Sequence, residues 1–287
     1  MTIAPTPLAP VRTDTSGDAL RAAIQDDLAR SAIRRRVIPG ERIIRTPTVL
    51  GYVCDVASPR VNEIVAARFA AGSAADAAIE AAIARFEGKP FLWWVGPSDE
   101  PADLSDRLTR RGVIFLDDIP GMAMDLADLD DEPAPDELRV APVLDEAGID
   151  AFHAVLSHGF PEDFVDHATS GAITASSRRQ AIEAGFREPN GVPTRWVGWV
   201  GERPVTTTRL HTGAGVAGIY AVVTVDDARR RGYGAAVTRH VLHASVAAGI
   251  RIATLQASTA GKGVYERIGF RQLCRYRLHE WQAAPAR

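Results

Sequence analysis

In Val223-Thr-Val-Asp-Asp-Ala-Arg-Arg-Arg-Gly-Tyr-Gly-Ala-Ala236 an apolar run ends at an Arg- and Gly-rich turn, and an Ala-rich helical pattern begins. Gly232 and Gly234 carry no side chain that would keep a ligand from the backbone. The first free N–H groups of the helix point outward there, and the helix dipole favours a neighbouring anion by about 0.3 to 1 kcal/mol. Arg229, Arg230 and Arg231 add positive charge. A run of arginines alone reads as a solvated face, and a lone Gly-x-Gly is weak. The order strand, Arg, Gly-x-Gly, helix is more specific and predicts a phosphate cradle at a helix N-terminus.

Outward from this stretch the pattern is mixed α/β. Gly218 to Val225 reads as the strand that feeds the turn. The helix from Gly232 to about Ala248 has an apolar side of Val237, Val241, Ala244 and Ala248 at i, i+4, i+7, i+11 spacing. A strand over Ile250 to Ala257, a short helix around Lys262 to Ile268 and a last strand from Arg271 to Trp281 follow. Upstream, Trp196 to Val200, a turn at Gly201-Glu202 and Val205 to His211 form a hairpin. Leu138 to Val143 opens the unit, with helices around Ile149 to Ser157 and Ser177 to Phe186 and a polar-aromatic connection over His158 to His167. The order predicts a ligand site at the C-terminal end of a central strand.

The acidic stretch Leu129-Asp-Asp-Glu-Pro-Ala-Pro-Asp-Glu137 contains two prolines and almost nothing that can be buried, so it reads as a linker between two domains. Residues 18–128 then form one domain and 138–287 another, with 1–17, rich in Pro and Thr, as a flexible tail. In the first domain Asp18 to Arg36 carries Leu20, Ala23, Ile24, Leu28 and Ile33 at near-helical spacing. Strands are expected at Val49 to Val56 and Asn62 to Phe69, then a helix capped by Ser73 that runs through Ala75, Ile79, Ala82 and Phe86. Phe91 to Val95 reads as a buried strand, Pro101 to Arg111 as a short helix stopped by Gly112, and Met122 to Leu126 as a strand. Adjacent Trp93 and Trp94 face opposite sides of such a strand, which suits core on one side and interface on the other better than a ligand platform.

Composition limits the function classes. A chain of 287 residues with 46% apolar content can bury a sizeable core, and a net charge of -3 with only local Arg clusters gives no reason to expect nucleic acid. Cys54 and Cys274 are far apart and match no metal spacing; they read as free thiols of a reducing compartment, with one disulfide as the alternative. The seven histidines form no H-E-x-x-H motif, so no metal is expected. With no apolar run of about 18 to 20 residues and no signal-peptide pattern, a cytoplasmic location without membrane association is the expectation.

Two motifs together carry a resemblance. Arg229-Arg-Arg-Gly-Tyr-Gly234 after a strand is similar to the acyl-CoA motif of the GNAT superfamily of N-acetyltransferases, and Tyr265-Glu-Arg-Ile-Gly-Phe270, about thirty residues on, resembles that family's Tyr-x-x-x-Gly-Phe signature. The resemblance covers roughly Leu138 to Trp281 and implies an α/β fold with a mostly antiparallel sheet flanked by helices. It implies acetyl-CoA as co-substrate and a small-molecule or peptide amine as acceptor, with a homodimer compatible. The pyrophosphate falls to the backbone around Arg230 to Ala235, and Val222 and Thr224 pair with the acyl carbonyl and pantetheine arm. Tyr265 is placed beside the sulfur. Residues 18–128 resemble a degenerate half of the same kind, whose loop Ala71-Gly-Ser-Ala-Ala75 lacks the Arg and the Gly-x-Gly, so no CoA site is expected there.

A phenol of pKa about 10 giving its proton to a thiolate of pKa about 8.5 climbs only about 2 kcal/mol, so Tyr265 reads as a general acid. The chain departs from the family pattern in two places. Ser258 stands where many members carry an Asn facing pantetheine, while Gly261 keeps the close approach of the helix. Gly218 falls where several members place a glutamate base. An ammonium of pKa about 10.4 needs about 4.6 kcal/mol to lose its proton at pH 7, so a base must come from elsewhere or the amine must be less basic. His158, Glu162, Asp163, Asp166, His167 and His211 are candidates by residue type, with solvated or structural roles as the alternative. Direct transfer from acetyl-CoA is the leading reading; a non-catalytic acyl-CoA sensor and transfer of a longer acyl group are its rivals.

Overall fold

A computed structural model of the chain describes residues 9–34, 40–159 and 167–282. Its helices and strands, in order, are α1 (Gly17–Arg34), β1 (Arg42–Arg45), β2 (Val49–Val53), β3 (Glu63–Ala67), α2 (Ser73–Ala84), β4 (Phe91–Val95), α3 (Leu104–Arg110), β5 (Ile114–Asp125), β6 (Leu138–Pro142), α4 (Glu146–Leu156), α5 (His167–Glu183), β7 (Arg195–Val200), β8 (Arg203–His211), β9 (Ala217–Thr224), α6 (Tyr233–Ala247), β10 (Ile252–Gln256), α7 (Lys262–Ile268) and β11 (Arg271–Trp281). The architecture is the expected mixed, mostly antiparallel sheet flanked by helices. Two compact units divide the chain, and neither is contiguous in sequence.

The first unit contains described residues 9–31, 121–159 and 178–273. Its strands lie in the order β10-β9-β8-β7-β6, antiparallel except for β9 beside β10. On the other side of β10 lies the end of β5, antiparallel, with Met124 opposite Ala253 and Met122 opposite Leu255. Adjacent residues of a strand face opposite sides, and β7 shows which helix covers which face. Trp196 packs in a cluster with Val237, Val241 and Leu242 of α6, whereas Val197 packs with Ile149 and Phe152 of α4. The two helices therefore cover opposite faces of the sheet. Asp145 begins α4 by accepting the Gly148 N–H (2.7 Å), a cap that moves the start a turn ahead of the expected Ile149.

The stripe Leu20, Ala23, Ile24 and Leu28 of α1 is buried as its spacing predicts; Ile33 is outside the described side chains. Of the expected tail, residues 1–8 lie outside the described residues. Ala9 and Arg12 donate backbone bonds to Gly213 and Gly215 (3.2 and 3.0 Å), and Arg12 Nε reaches the Ala214 carbonyl (3.1 Å). The acidic stretch 129–137 is also tied down. Arg239 of α6, almost fully buried, pairs with Asp130 (2.7 Å) and with Glu132, Tyr233 donates to Glu137 (2.7 Å), and Leu129 packs against the core. One buried guanidinium thus gathers two carboxylates that the sequence alone leaves in solvent.

The second unit contains described residues 32–34, 40–120, 167–177 and 274–282. Strands β1 to β4 lie side by side, and β4 pairs on its other edge with the end of β11, Phe91 opposite Trp281 and Val95 opposite Arg277. The core holds Ile79, Phe86, Phe91, Trp93, Leu104 and Leu108. Trp93 is fully buried, whereas Trp94 is half-buried, edge-on to Tyr276 at 6.1 Å. Cys54 and Cys274 are both free thiols. Two strands escaped the sequence pattern, β1 and the first half of β5; in β5, Ile114, Phe115 and Leu116 are exposed consecutively instead of alternating. Ser73 is the first residue of α2 and not its cap; Gly72, at φ 83°, precedes it.

Within this unit β3 and β4 are parallel over only two residue pairs, Glu63 with Leu92 and Ile64 with Trp93. Past them the gap is filled by the chain itself. Asp99 accepts the N–H groups of Ala67 (3.0 Å) and Gly96 (2.9 Å), while Glu100 exchanges backbone bonds with Ala67 and Phe69 (both 3.0 Å). Burial pushes the Asp99 carboxyl up to about 6 against the two N–H bonds that lower it. Its pKa is above the unfolded value of about 3.9, so its contribution is full below that value and is lost as pH rises through about 6. Relative to Asp99→Asn, wild-type stability in urea should fall by about 3 kcal/mol at most between pH 4 and pH 7; a difference independent of pH would contradict this.

Candidate functional site

The parallel ladder between β9 and β10 is as short as that between β3 and β4. Ala217 pairs with Ala253 and Gly218 with Thr254, and there it stops. Strand β9 continues to Thr224 and β10 to Gln256 without pairing with each other, so the sheet is open between them from Ile219 onward. Residues 217–219 of β9 are buried and 220–224 half-buried, although the strand is central. A bulge adds to the opening. Ala221 and Val222 stand opposite Thr208 alone, and Ala221 takes φ 52°. Bulges re-aim the backbone groups of a strand and are common at sites.

At the wide end of this opening the chain turns through residues 226–232 into α6. Gly232 is the N-cap at φ 81°, and Arg230 is also left-handed at φ 64°. The first intrahelical bond runs from Ala236 N–H to the Gly232 carbonyl, and among the described residues nothing accepts from the N–H groups of residues 230–235. Six backbone donors without an acceptor among the described residues therefore lie in one turn at the positive end of a fifteen-residue helix. A Cβ on Gly234 would meet Thr224 Oγ1 at 3.4 Å and Val222 Cγ1 at 3.9 Å, so this position borders the opening of β9.

The three arginines diverge. Arg229 is engaged with its own turn, Nε to the Thr224 carbonyl (3.1 Å) and Nη2 to Asp226 (2.7 Å). Arg231 stands beside Tyr233 and Glu137. Arg230 is exposed and makes no ion pair among the described residues.

Tyr265, on α7, is half-buried at the rim of the apolar cluster that also borders Val222 and Ala235, so residues from β9, α6 and α7 meet around one core. Its ring lies edge-on to Phe270 at 6.0 Å. No described residue hydrogen-bonds its hydroxyl, and burial pushes the phenol up to about 12. Gly261 sets the ring's place, since a Cβ there would sit 3.3 Å from Tyr265 Cε2. Ser258 is exposed and accepts the Gly261 N–H through Oγ (3.1 Å), holding the turn into α7.

Of the residues named as candidate bases, Glu162, Asp163 and Asp166 and the side chain of His167 lie outside what is described. His158 is exposed. His211 is 1% exposed, its Nδ1 3.0 Å from Oδ1 of Asp27, a residue of α1 that is fully buried. Tyr220 donates to Asp27 Oδ2 (2.6 Å) and Thr254 does so at 3.0 Å. Most telling is Gly218, where a Cβ would fall 2.2 Å from Asp27 Oδ2 and 2.6 Å from its Cγ. The space beside Gly218 is taken by the carboxyl group of a residue on a distant helix. The sequence held a signal for this, an Asp on the buried stripe between Ile24 and Leu28, because a buried Asp must be paired.

Comparison with known proteins bears on the fold. The model of the family described as FR47-like protein matches residues 203–280, from the start of β8 into β11. Among solved structures, the GCN5-related N-acetyltransferase from Kribbella flavida superposes with a TM-score of 0.67 at 17% identity, covering 96% of this chain and 98% of that one. One from Sphaerobacter thermophilus gives 0.61 at 15%, covering 84% and 82%. A tandem GNAT protein from the clavulanic acid biosynthesis pathway gives 0.56 at 12%, covering 98% and 100%. No curated protein matches the sequence. At these identities the likeness is one of fold, and the chain has the GNAT fold along nearly its whole length.

The left-handed backbone at Gly232 has a measurable consequence. A Cβ there touches nothing nearer than Pro135 Cγ at 3.8 Å, so the cost of Gly232→Ala is conformational. It should lower stability in urea by about 1 to 2 kcal/mol; an unchanged midpoint would show that the turn has another conformation.

Proposed function

We propose that this chain is an N-acetyltransferase that moves an acetyl group from acetyl-CoA to a primary amine by direct attack. The observation that supports it most is the joining of three features around one opening. A half-buried strand edge unpaired toward β10 leads to a turn with six N–H groups that, among the described residues, have no acceptor, and a phenol with no hydrogen-bond partner among the described residues sits at the rim.

In this reading the N–H groups of residues 230–235 hold the pyrophosphate, and exposed Arg230 adds charge. Arg229 serves the turn by bracing it against Thr224 and Asp226. Backbone groups of Val222 and Thr224 bind the pantetheine arm and the thioester oxygen, whose developing charge a strand N–H stabilises. Gly234 and Ala235 leave room for it, and Gly261 packs α7 closely enough to aim Tyr265. Ser258 shapes that turn. The acceptor is a small-molecule or peptide amine.

Tyr265 gives its proton to the leaving sulfur. At a pKa of about 12 the transfer to a thiolate of about 8.5 is uphill by about 5 kcal/mol, more than the 2 kcal/mol expected for an unshifted phenol. The same apolar surroundings raise a thiol's pKa, so burial acts on both partners and leaves a smaller difference.

Thiol release from acetyl-CoA over a panel of amines tests the proposal; tight binding with no turnover on any acceptor would favour a sensor instead. Tyr265→Phe should lower kcat roughly 10²-fold or more while acetyl-CoA affinity stays within about threefold. With its phenol protonated to about pH 12, the wild type should show no alkaline loss of kcat from this group up to pH 10. Gly234→Leu should abolish acetyl-CoA binding by calorimetry and Gly234→Ala should keep it, because a lone Cβ meets Thr224 at an ordinary 3.4 Å.

A further inference from the structure

Asp27 is a carboxylate in the middle of an apolar helix face, fully buried. It accepts from three donors that come from three adjacent strands, His211 of β8, Tyr220 of β9 and Thr254 of β10. Such a set suits the acceptor-only form of a carboxylate. The bond from Nδ1 fixes the tautomer of His211, and its Nε2 then carries a lone pair. That Nε2 is buried and has no partner among the described residues. A buried polar atom left unpaired is uncommon and calls for a specific reason.

Position supplies the reason. His211 is the cross-strand partner of Gly218, and Gly218 with Thr254 forms the last parallel pair before β9 and β10 separate. The cluster therefore stands at the apex of the opening, on the sheet face away from α6, since Ala217 and Ile219 on either side of Gly218 pack with α6. We propose that His211 is the general base for the acceptor amine and that Asp27 positions it, with the carboxylate of α1 occupying the space of the side chain that Gly218 lacks.

This rests on the acetyltransferase reading. An ammonium proton passes to His211 Nε2, directly or through one water, and then to solvent. The freed nitrogen lone pair forms the C–N bond at the thioester carbon. As the C–S bond breaks, its electron pair stays on sulfur, which takes the Tyr265 proton. The second proton lost by nitrogen as the amide forms restores the phenol. One ammonium and one thioester give one amide, one thiol and one proton. Asp27 holds the ring and offsets the charge of the imidazolium, the division of labour seen wherever a carboxylate backs a histidine base.

The test uses the full chain, acetyl-CoA and the amine panel. His211→Gln, close in size, should lower kcat by roughly 10²- to 10⁴-fold with the acetyl-CoA dissociation constant within about threefold. Asp27→Ala should show a similar split between kcat and affinity. Gly218→Asp alone should destabilise the fold, because two carboxylates would share one space. The pair Asp27→Ala with Gly218→Asp moves the carboxylate from α1 to β9 and should recover kcat at least tenfold over Asp27→Ala. Unchanged kcat in His211→Gln, or a folded double variant no faster than Asp27→Ala, would overturn the assignment while wild-type turnover kept the acetyltransferase reading intact. A wild type that releases no thiol with any amine would sink both. If Asp27→Ala does not fold, His211→Gln alone decides.

Discussion

The constraint on which the rest of this molecule depends is a parallel ladder two residues long. Parallel pairing needs a crossover, here α6, and once β9 and β10 have paired at Ala217 and Gly218 nothing continues the ladder. Everything proposed for the site lies along the edge this leaves. The bulge at Ala221 turns that edge, the turn through Arg230 and Gly232 ends it in N–H groups that have no acceptor among the described residues, and Tyr265 of α7 packs against the same core as Val222 and Ala235. An open strand edge in the middle of a sheet is costly unless something completes it. A linear ligand with amide groups would complete it.

The second unit shows the alternative outcome from the same beginning. Strands β3 and β4 also pair over two residues with a helix between them, but residues 96–100 fold back and take the hydrogen bonds of β3. Asp99 gives up much of its acidity to stay there. Each unit also takes a strand from the far part of the sequence: residues 121–125 pair with β10, and the end of β11 pairs with β4. A boundary drawn at the acidic stretch 129–137 separates two sequence halves, while the compact units take their strands across it.

What was legible in the sequence is what local rules encode. The run Arg229 to Gly234 carries its own geometry, since glycine and the helix start demand it, and Val237 and Val241 declare a helix face by spacing alone. Most elements after Leu138 accordingly fall within a few residues of their expected places. Long-range events were not legible. Arg239 sits on an ordinary helical pattern, and only the fold shows that it gathers Asp130 and Glu132. Arg229 looks like a phosphate ligand by position and is engaged by Asp226. The first half of β5 has no alternation because both its apolar and its acidic residues are exposed, so no period of two was present to read.

Asp27 and Gly218 bring these two kinds of information together. In sequence, Gly218 is only a missing side chain, and Asp27, nearly two hundred residues away, is only an acid on a helix. Their meaning is joint: a Cβ at 218 and the carboxylate of Asp27 require the same volume, so one can be present only where the other is absent. A glycine in the centre of a strand weakens it, and an Asp inside an apolar stripe opposes burial. Each is unfavourable alone, and together they place one carboxyl group at the apex of the opening with three hydrogen-bond partners around it. The turn into α6 is written in a contiguous run of backbone-directing residues, whereas the carboxyl group beside Gly218 depends on α1 docking against β8, β9 and β10. Such a site is complete only when the unit that contains residues 9–31 is folded.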